Sequence, residues 1–109
     1  MYNKLTRVTP LPLSVSEISQ KLLQLPKWRL VNGALIREVT FKDYESTWAF
    51  LTQVSMRSHL WGHHPTITTA YSWVKLELTT HALGNKVSDI DFKMAKRYEK
   101  YVNNYEKTE

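Results

Sequence analysis

The chain has 109 residues, 42% of them hydrophobic and 23% charged, with no cysteine and a formal net charge of +5 at pH 7. That length suits one compact domain, and the missing cysteines exclude a disulfide framework, a zinc ribbon and a cysteine nucleophile. No apolar run long enough for a membrane-spanning helix occurs, so none is expected.

Residues 1–109 read as a single domain with an N-terminal extension at 1–13 and a polar tail at 103–109 that should fray. Met1 to Ser16 carries Lys4, Arg7 and several hydroxyls, with no acid before Glu17. That is the flavour of a mitochondrial presequence, although Pro10 and Pro12 interrupt the amphipathic helix such a signal needs. The expected compartment is therefore cytoplasmic or mitochondrial. Ser14 with Glu17 reads as a capping box opening a short helix through Ile18, Leu22 and Leu23, which Pro26 stops. Trp28 and Leu30 alternate with Lys27 and Arg29, and Asn32-Gly33 is a strong hairpin signal with Leu35 to Phe41 as the partner strand.

Asp43 caps a second helix to about Leu60. Tyr44, Trp48, Leu51 and Val54, widened by Phe50, form the face expected to enter the core. Ala49, Met56 and Leu60 make a second, smaller apolar stripe, which suggests contact with another subunit. Gly62 is a candidate left-handed cap, and Pro65 holds His64 extended. Ile67 to Thr69 reads as a short strand, and Val74, Leu76 and Leu78 alternate as a half-buried one. After Gly84-Asn85, Ser88 with Asp91 caps a last helix with Asp91, Ala95, Tyr98, Val102 and Tyr105 along one side. Tyr44, Trp48 and Tyr98 are read as core. Lys93, Lys96 and Lys100 share one face of this helix and read as a solvated basic surface, with no arginine-rich run or RNA signature, so direct nucleic-acid contact is not expected. The order helix, hairpin, helix, strand pair, helix indicates an α+β fold.

All four histidines fall between positions 59 and 81. Imidazole moves protons near neutral pH. Three readings compete for the cluster: histidines stabilising a helix end through its free carbonyls and dipole, a metal site, or metal-free acid–base catalysis. His59 and His63 have zinc-helix spacing, but no glutamate follows His59 and Gly62 breaks the helix between them, which argues against a metal.

Phe41-Lys42-Asp43-Tyr44, Trp48, Val54, His63-His64-Pro65, Tyr71, Val74, Leu76, Leu78, Thr80-His81, Val87-Ser88, Asp91 and Ala95 together closely resemble the pterin-4a-carbinolamine dehydratase family, from about Trp28 to about Val102. The resemblance implies a four-stranded antiparallel sheet with three helices packed on one face, in the order α-β-β-α-β-β-α. It implies dehydration of 4a-hydroxy-tetrahydropterin to quinonoid dihydropterin, in recycling of the cofactor of aromatic amino acid hydroxylases, with neither metal nor organic cofactor. By the same resemblance His63, His64 and His81 would be catalytic, and His59, Pro65, Thr80 and Asp91 would contact substrate. A homodimer or homotetramer would form through the helix at 43–60.

Departures from the family pattern put substrate choice in question. Relatives commonly carry glutamate where His59 stands, Glu-Trp where Thr66-Ile67 follow the His-His-Pro, and an acid at Ala82; the loop to Ser88 is also slightly longer. A missing pocket carboxylate would weaken recognition of the pyrimidine edge. The alternative function is a non-catalytic oligomerisation partner, or transcriptional coactivator, on the same fold. The enzyme reading requires His63, His64 and His81 to converge on one concave site.

Overall fold

A computed structural model describes residues 10–105, so most of the presequence-like stretch (residues 1–9) and the end of the tail (106–109) lie outside the described residues. The elements are α1 (Val15–Leu22), β1 (Arg29–Val31), β2 (Ala34–Thr40), α2 (Tyr44–Trp61), β3 (Thr66–Ala70), β4 (Trp73–Leu78), a 3₁₀ turn (His81–Leu83) and α3 (Asp89–Tyr105). All strand pairs are antiparallel, and the sheet order is β1-β2-β4-β3. The α+β class and the α-β-β-α-β-β-α order are as expected. No helix among the described residues is long and apolar enough to cross a membrane.

Local chemistry places the elements. The Ser14 hydroxyl accepts from the Glu17 amide while the Glu17 carboxylate accepts from the Ser14 amide, completing the capping box of α1. Asn32 (φ 48°) and Gly33 (φ 79°) are both left-handed, as a two-residue turn matched to strand twist demands. Asp43 caps α2 by accepting from the Ser46 amide. The β3 strand, at 66–70, is longer than the expected 67–69, and α3 runs on through Asn103 to Tyr105, where fraying was expected.

Register puts one face of the sheet against the helices. Leu35 pairs with Leu78, Arg37 with Leu76 and Val39 with Val74, and all six are buried. Phe50, Leu51 and Val54 of α2 and Met94, Ala95, Tyr98 and Val102 of α3 pack onto that face with Ile18 of α1. The core face of α2 differs from expectation. It is Thr47, Phe50, Leu51, Val54 and Ser58, whereas Tyr44 and Trp48 are 52% and 46% exposed. The reason is hydrogen bonding: Thr47 Oγ1 donates to the Asp43 carbonyl, and Ser58 Oγ bonds both the Val54 carbonyl and the Tyr98 hydroxyl. These hydroxyls are therefore buried without an unsatisfied polar atom. Tyr44 instead stacks on Tyr71 at the β3–β4 turn.

Arg37 is charged yet buried on the core face. Its Nε and Nη2 donate to the two carboxylate oxygens of Glu99 at 3.0 and 3.1 Å, and Trp28 Nε1 donates to the same carboxylate at 2.8 Å. Burial pushes the Glu99 carboxyl upward, but the bonds from Arg37 and Trp28 outweigh it and hold the group below the usual carboxylate range. A carboxyl depressed in the folded state contributes stability above its unfolded titration and loses it as pH falls through the folded value. Glu99→Gln should therefore destabilise the chain by about 1–2 kcal/mol at neutral pH. Urea melts should show that difference shrinking in acid. A gap that stayed constant with pH would remove this role for Glu99.

Candidate active site

The histidine corner is set by how α2 ends. Gly62 adopts a left-handed conformation (φ 73°), its amide donating to the Ser58 and His59 carbonyls, and the His63 amide reaches back to Ser58 at 3.2 Å. This Schellman-type closure turns the chain sharply and sends His63 toward α3. Pro65 then restricts His64 to an extended backbone ahead of β3. From the other side, β4 delivers Thr80 and His81 at its end, where the Thr80 amide donates to the Lys86 carbonyl.

His63, His64 and His81 line one open cavity of about 510 Å³, together with Pro65 and Thr80. That size lies within the range of about 300–1,000 Å³ typical of small-molecule clefts. Thr66 and Ala82, where the chain departs from the family pattern, line the cavity as well, and sequence reasoning missed two further walls, Pro10 and Ile90. Pro10 is held there because residues 11–13, read as part of an extension, pair with Val87–Asp89. Leu13 donates to the Val87 carbonyl, and Leu11 exchanges bonds with Asp89. A pairing across more than seventy residues leaves no local signal in the sequence.

Asp91 is fully buried behind His63 and does not line the cavity. Its Oδ1 lies 2.6 Å from His63 Nε2. Its Oδ2 accepts from Thr80 Oγ1 at 2.7 Å, from the Ser88 amide at 2.9 Å and from Ser88 Oγ at 3.3 Å. A carboxylate in the first turn of a helix is favoured by the dipole, and here donors reach both oxygens. Because a carboxylate only accepts, His63 Nε2 carries its hydrogen toward Asp91, and the neutral ring presents a bare Nδ1. Asp91 is therefore joined to the cavity through His63 and does not itself face it. Thr80, 4% exposed, commits its hydroxyl to the same network and supplies wall.

His64 is exposed and has no hydrogen-bond partner among the described residues. His59 stands edge-on to it, with ring centroids 6.2 Å apart, and does not line the cavity. One helical turn before the cap, the ring of His59, expected to contact substrate, flanks His64. His81, also exposed, has Nδ1 2.7 Å from Asn85 Oδ1. Among the described residues no cluster of three or more His, Asp or Glu side chains is arranged to hold a metal ion.

Comparison with known proteins agrees with this architecture. A Saccharomyces cerevisiae protein, named provisionally as a pterin-4-alpha-carbinolamine dehydratase, is 50% identical over 94% of this chain and 96% of its own length. A Nitrosospira multiformis protein with the same provisional name is 42% identical over 74% of this chain and 71% of its own. The crystal structure of a transcriptional coactivator/pterin dehydratase from Brucella melitensis superposes with a TM-score of 0.78 at 32% identity, covering 83% of this chain and 97% of that one. Residues 11–101 match the family model described as pterin 4 alpha carbinolamine dehydratase, and the chain belongs to that family.

Proposed function

We propose that the chain dehydrates 4a-hydroxy-tetrahydropterin to quinonoid dihydropterin by histidine acid–base catalysis. The observation that carries this reading is the convergence of His63, His64 and His81 on one ligand-sized cavity in a chain of this family. Dehydration breaks the C4a–O bond with a proton delivered to the departing oxygen. The hydrogen on N5 is lost, and the electrons left on N5 form the C4a=N5 bond, so the products are the quinonoid dihydropterin and water. His64, with both ring nitrogens unengaged by described residues, is the proton donor in this scheme. His63, its Nε2–H fixed on Asp91, receives the N5 proton at Nδ1, and the buried carboxylate stabilises the imidazolium that forms. His81 binds substrate.

The test is the rate of dehydration of chemically generated carbinolamine with the parent chain, alongside a non-reactive pterin analogue followed by the histidine ring resonances. Acceleration over buffer, with His63, His64 and His81 all perturbed by the analogue, is expected. A chain no faster than buffer, with those rings unmoved, ends the proposal.

The same reading includes a homodimer or homotetramer through residues 43–60. Met56 is 66% exposed, and it shares a shallow groove with Gln53, Leu60 and Tyr101. Gln53 Oε1 is buried there without a hydrogen-bond partner among the described residues. Met56→Glu should reduce the mass in light scattering to the 12.8 kDa of one chain. An unchanged mass would remove this face as the interface. A chain that assembles yet leaves carbinolamine untouched would favour the oligomerisation-partner reading.

A further inference from the structure

We propose that Asn85 is a positioning residue that fixes the ring tautomer of His81, so that the neutral imidazole offers the cavity an acceptor at Nε2 and not a donor. The inference deepens the dehydratase reading and rests on it only for its catalytic consequence; the ring assignment stands by itself.

The loop between β4 and α3 is built to hold this contact. His81–Leu83 form a single 3₁₀ turn closed by Gly84, and Asn85 follows with φ 62°, a left-handed conformation that asparagine tolerates better than most side chains. That backbone brings Asn85 Oδ1 to 2.7 Å from His81 Nδ1. An amide oxygen only accepts, so Nδ1 must carry the hydrogen. In the neutral ring Nε2 is then bare, and it is the nitrogen left for a ligand.

The loop is braced from the hairpin. Thr79 Oγ1 donates to the Gly33 carbonyl at 2.7 Å, and a Cβ on Gly33 would collide with the Asn85 carbonyl oxygen. The Asn32-Gly33 turn therefore packs directly on the peptide that aims the Asn85 side chain. His63 and His81 are thus alike in design. Each has one ring nitrogen tied to a protein acceptor and the other left unprotonated for the substrate, which leaves His64 as the histidine with no imposed tautomer.

Asn85→Gly tests this with little risk to folding, because glycine suits the left-handed backbone while removing Oδ1. Nitrogen-15 resonances of the neutral His81 ring should report Nδ1–H in the parent and a shift toward Nε2–H in Asn85→Gly. Asn85→Asp, which keeps an acceptor in place, should restore Nδ1–H. In the carbinolamine assay, Asn85→Gly should lower kcat/KM by about tenfold, with Asn85→Asp recovering most of it. A parent ring protonated at Nε2, or an Asn85→Gly ring indistinguishable from the parent, would overturn the proposal. If the parent chain is inactive, the dehydratase reading fails, and the ring resonances alone decide the role of Asn85.

Discussion

Asp91→Asn is expected to slow dehydration by about 10² or more while leaving the fold largely intact. Asparagine has the shape of aspartate but one oxygen fewer, and the site asks both positions to accept. Oδ2 takes a backbone amide and the Thr80 hydroxyl, neither of which can turn into an acceptor for a side-chain NH₂ at no loss. The amide oxygen is thus drawn to that side, and the NH₂ faces His63. A neutral His63 must then accept at Nε2 and carry its hydrogen on Nδ1, the reverse of the state that receives the N5 proton in the proposed reaction. Asp91→Ala is the harsher change. It orphans the Ser88 amide and the His63 Nε2–H in a largely buried setting and should cost at least about 2 kcal/mol of stability. Rates of the asparagine variant, with urea midpoints of both, separate the two effects. Parent-like turnover in Asp91→Asn would mean that the His63 tautomer does not matter.

The dual use of this carboxylate shows what the sequence could and could not yield. Ser88 and Asp91, three residues apart, advertise a helix start, and that local signal competes with a catalytic assignment. The structure makes the two compatible by dividing them between oxygens, Oδ2 for the helix end and Oδ1 for His63. Hairpin turn, helix caps and the alternating strand at 74–78 were legible because each is decided within a few residues by backbone geometry. The core face of α2 was not. A hydropathy wheel favours Tyr44 and Trp48 over Thr47 and Ser58, and only the partners of those two hydroxyls reveal that they can be buried. Likewise, nothing in the spacing of His63 and Asp91, or of Pro10 and the site it walls, announces their meeting. Those contacts depend on α2 ending beside the start of α3, and on a terminal segment pairing with residues 87–89. The histidine trio was reached through family resemblance, and the His81–Asn85 contact sits in the loop where this chain departs from the family pattern.

His64→Ala should lower the dehydration rate by about 10²- to 10⁴-fold, the span expected when a general acid or base is removed. The argument is by role. His63 and His81, held by Asp91 and Asn85, present unprotonated nitrogens to the cavity when neutral, so neither is set up to deliver the first proton to the 4a-oxygen. His64 lies on the cavity wall and open to solvent, where it can be reloaded between turnovers. Because His64 is exposed and outside the core, its replacement should leave the unfolding free energy from urea melts within about 0.5 kcal/mol of the parent. The open cavity also admits added imidazole, which should restore part of the lost rate if a proton carrier is what is missing. Full activity in His64→Ala would transfer the acid role to His81 and require its ring to work as the imidazolium. A slow variant that imidazole cannot rescue, with unchanged stability and a raised KM, would make His64 a substrate contact and not the acid.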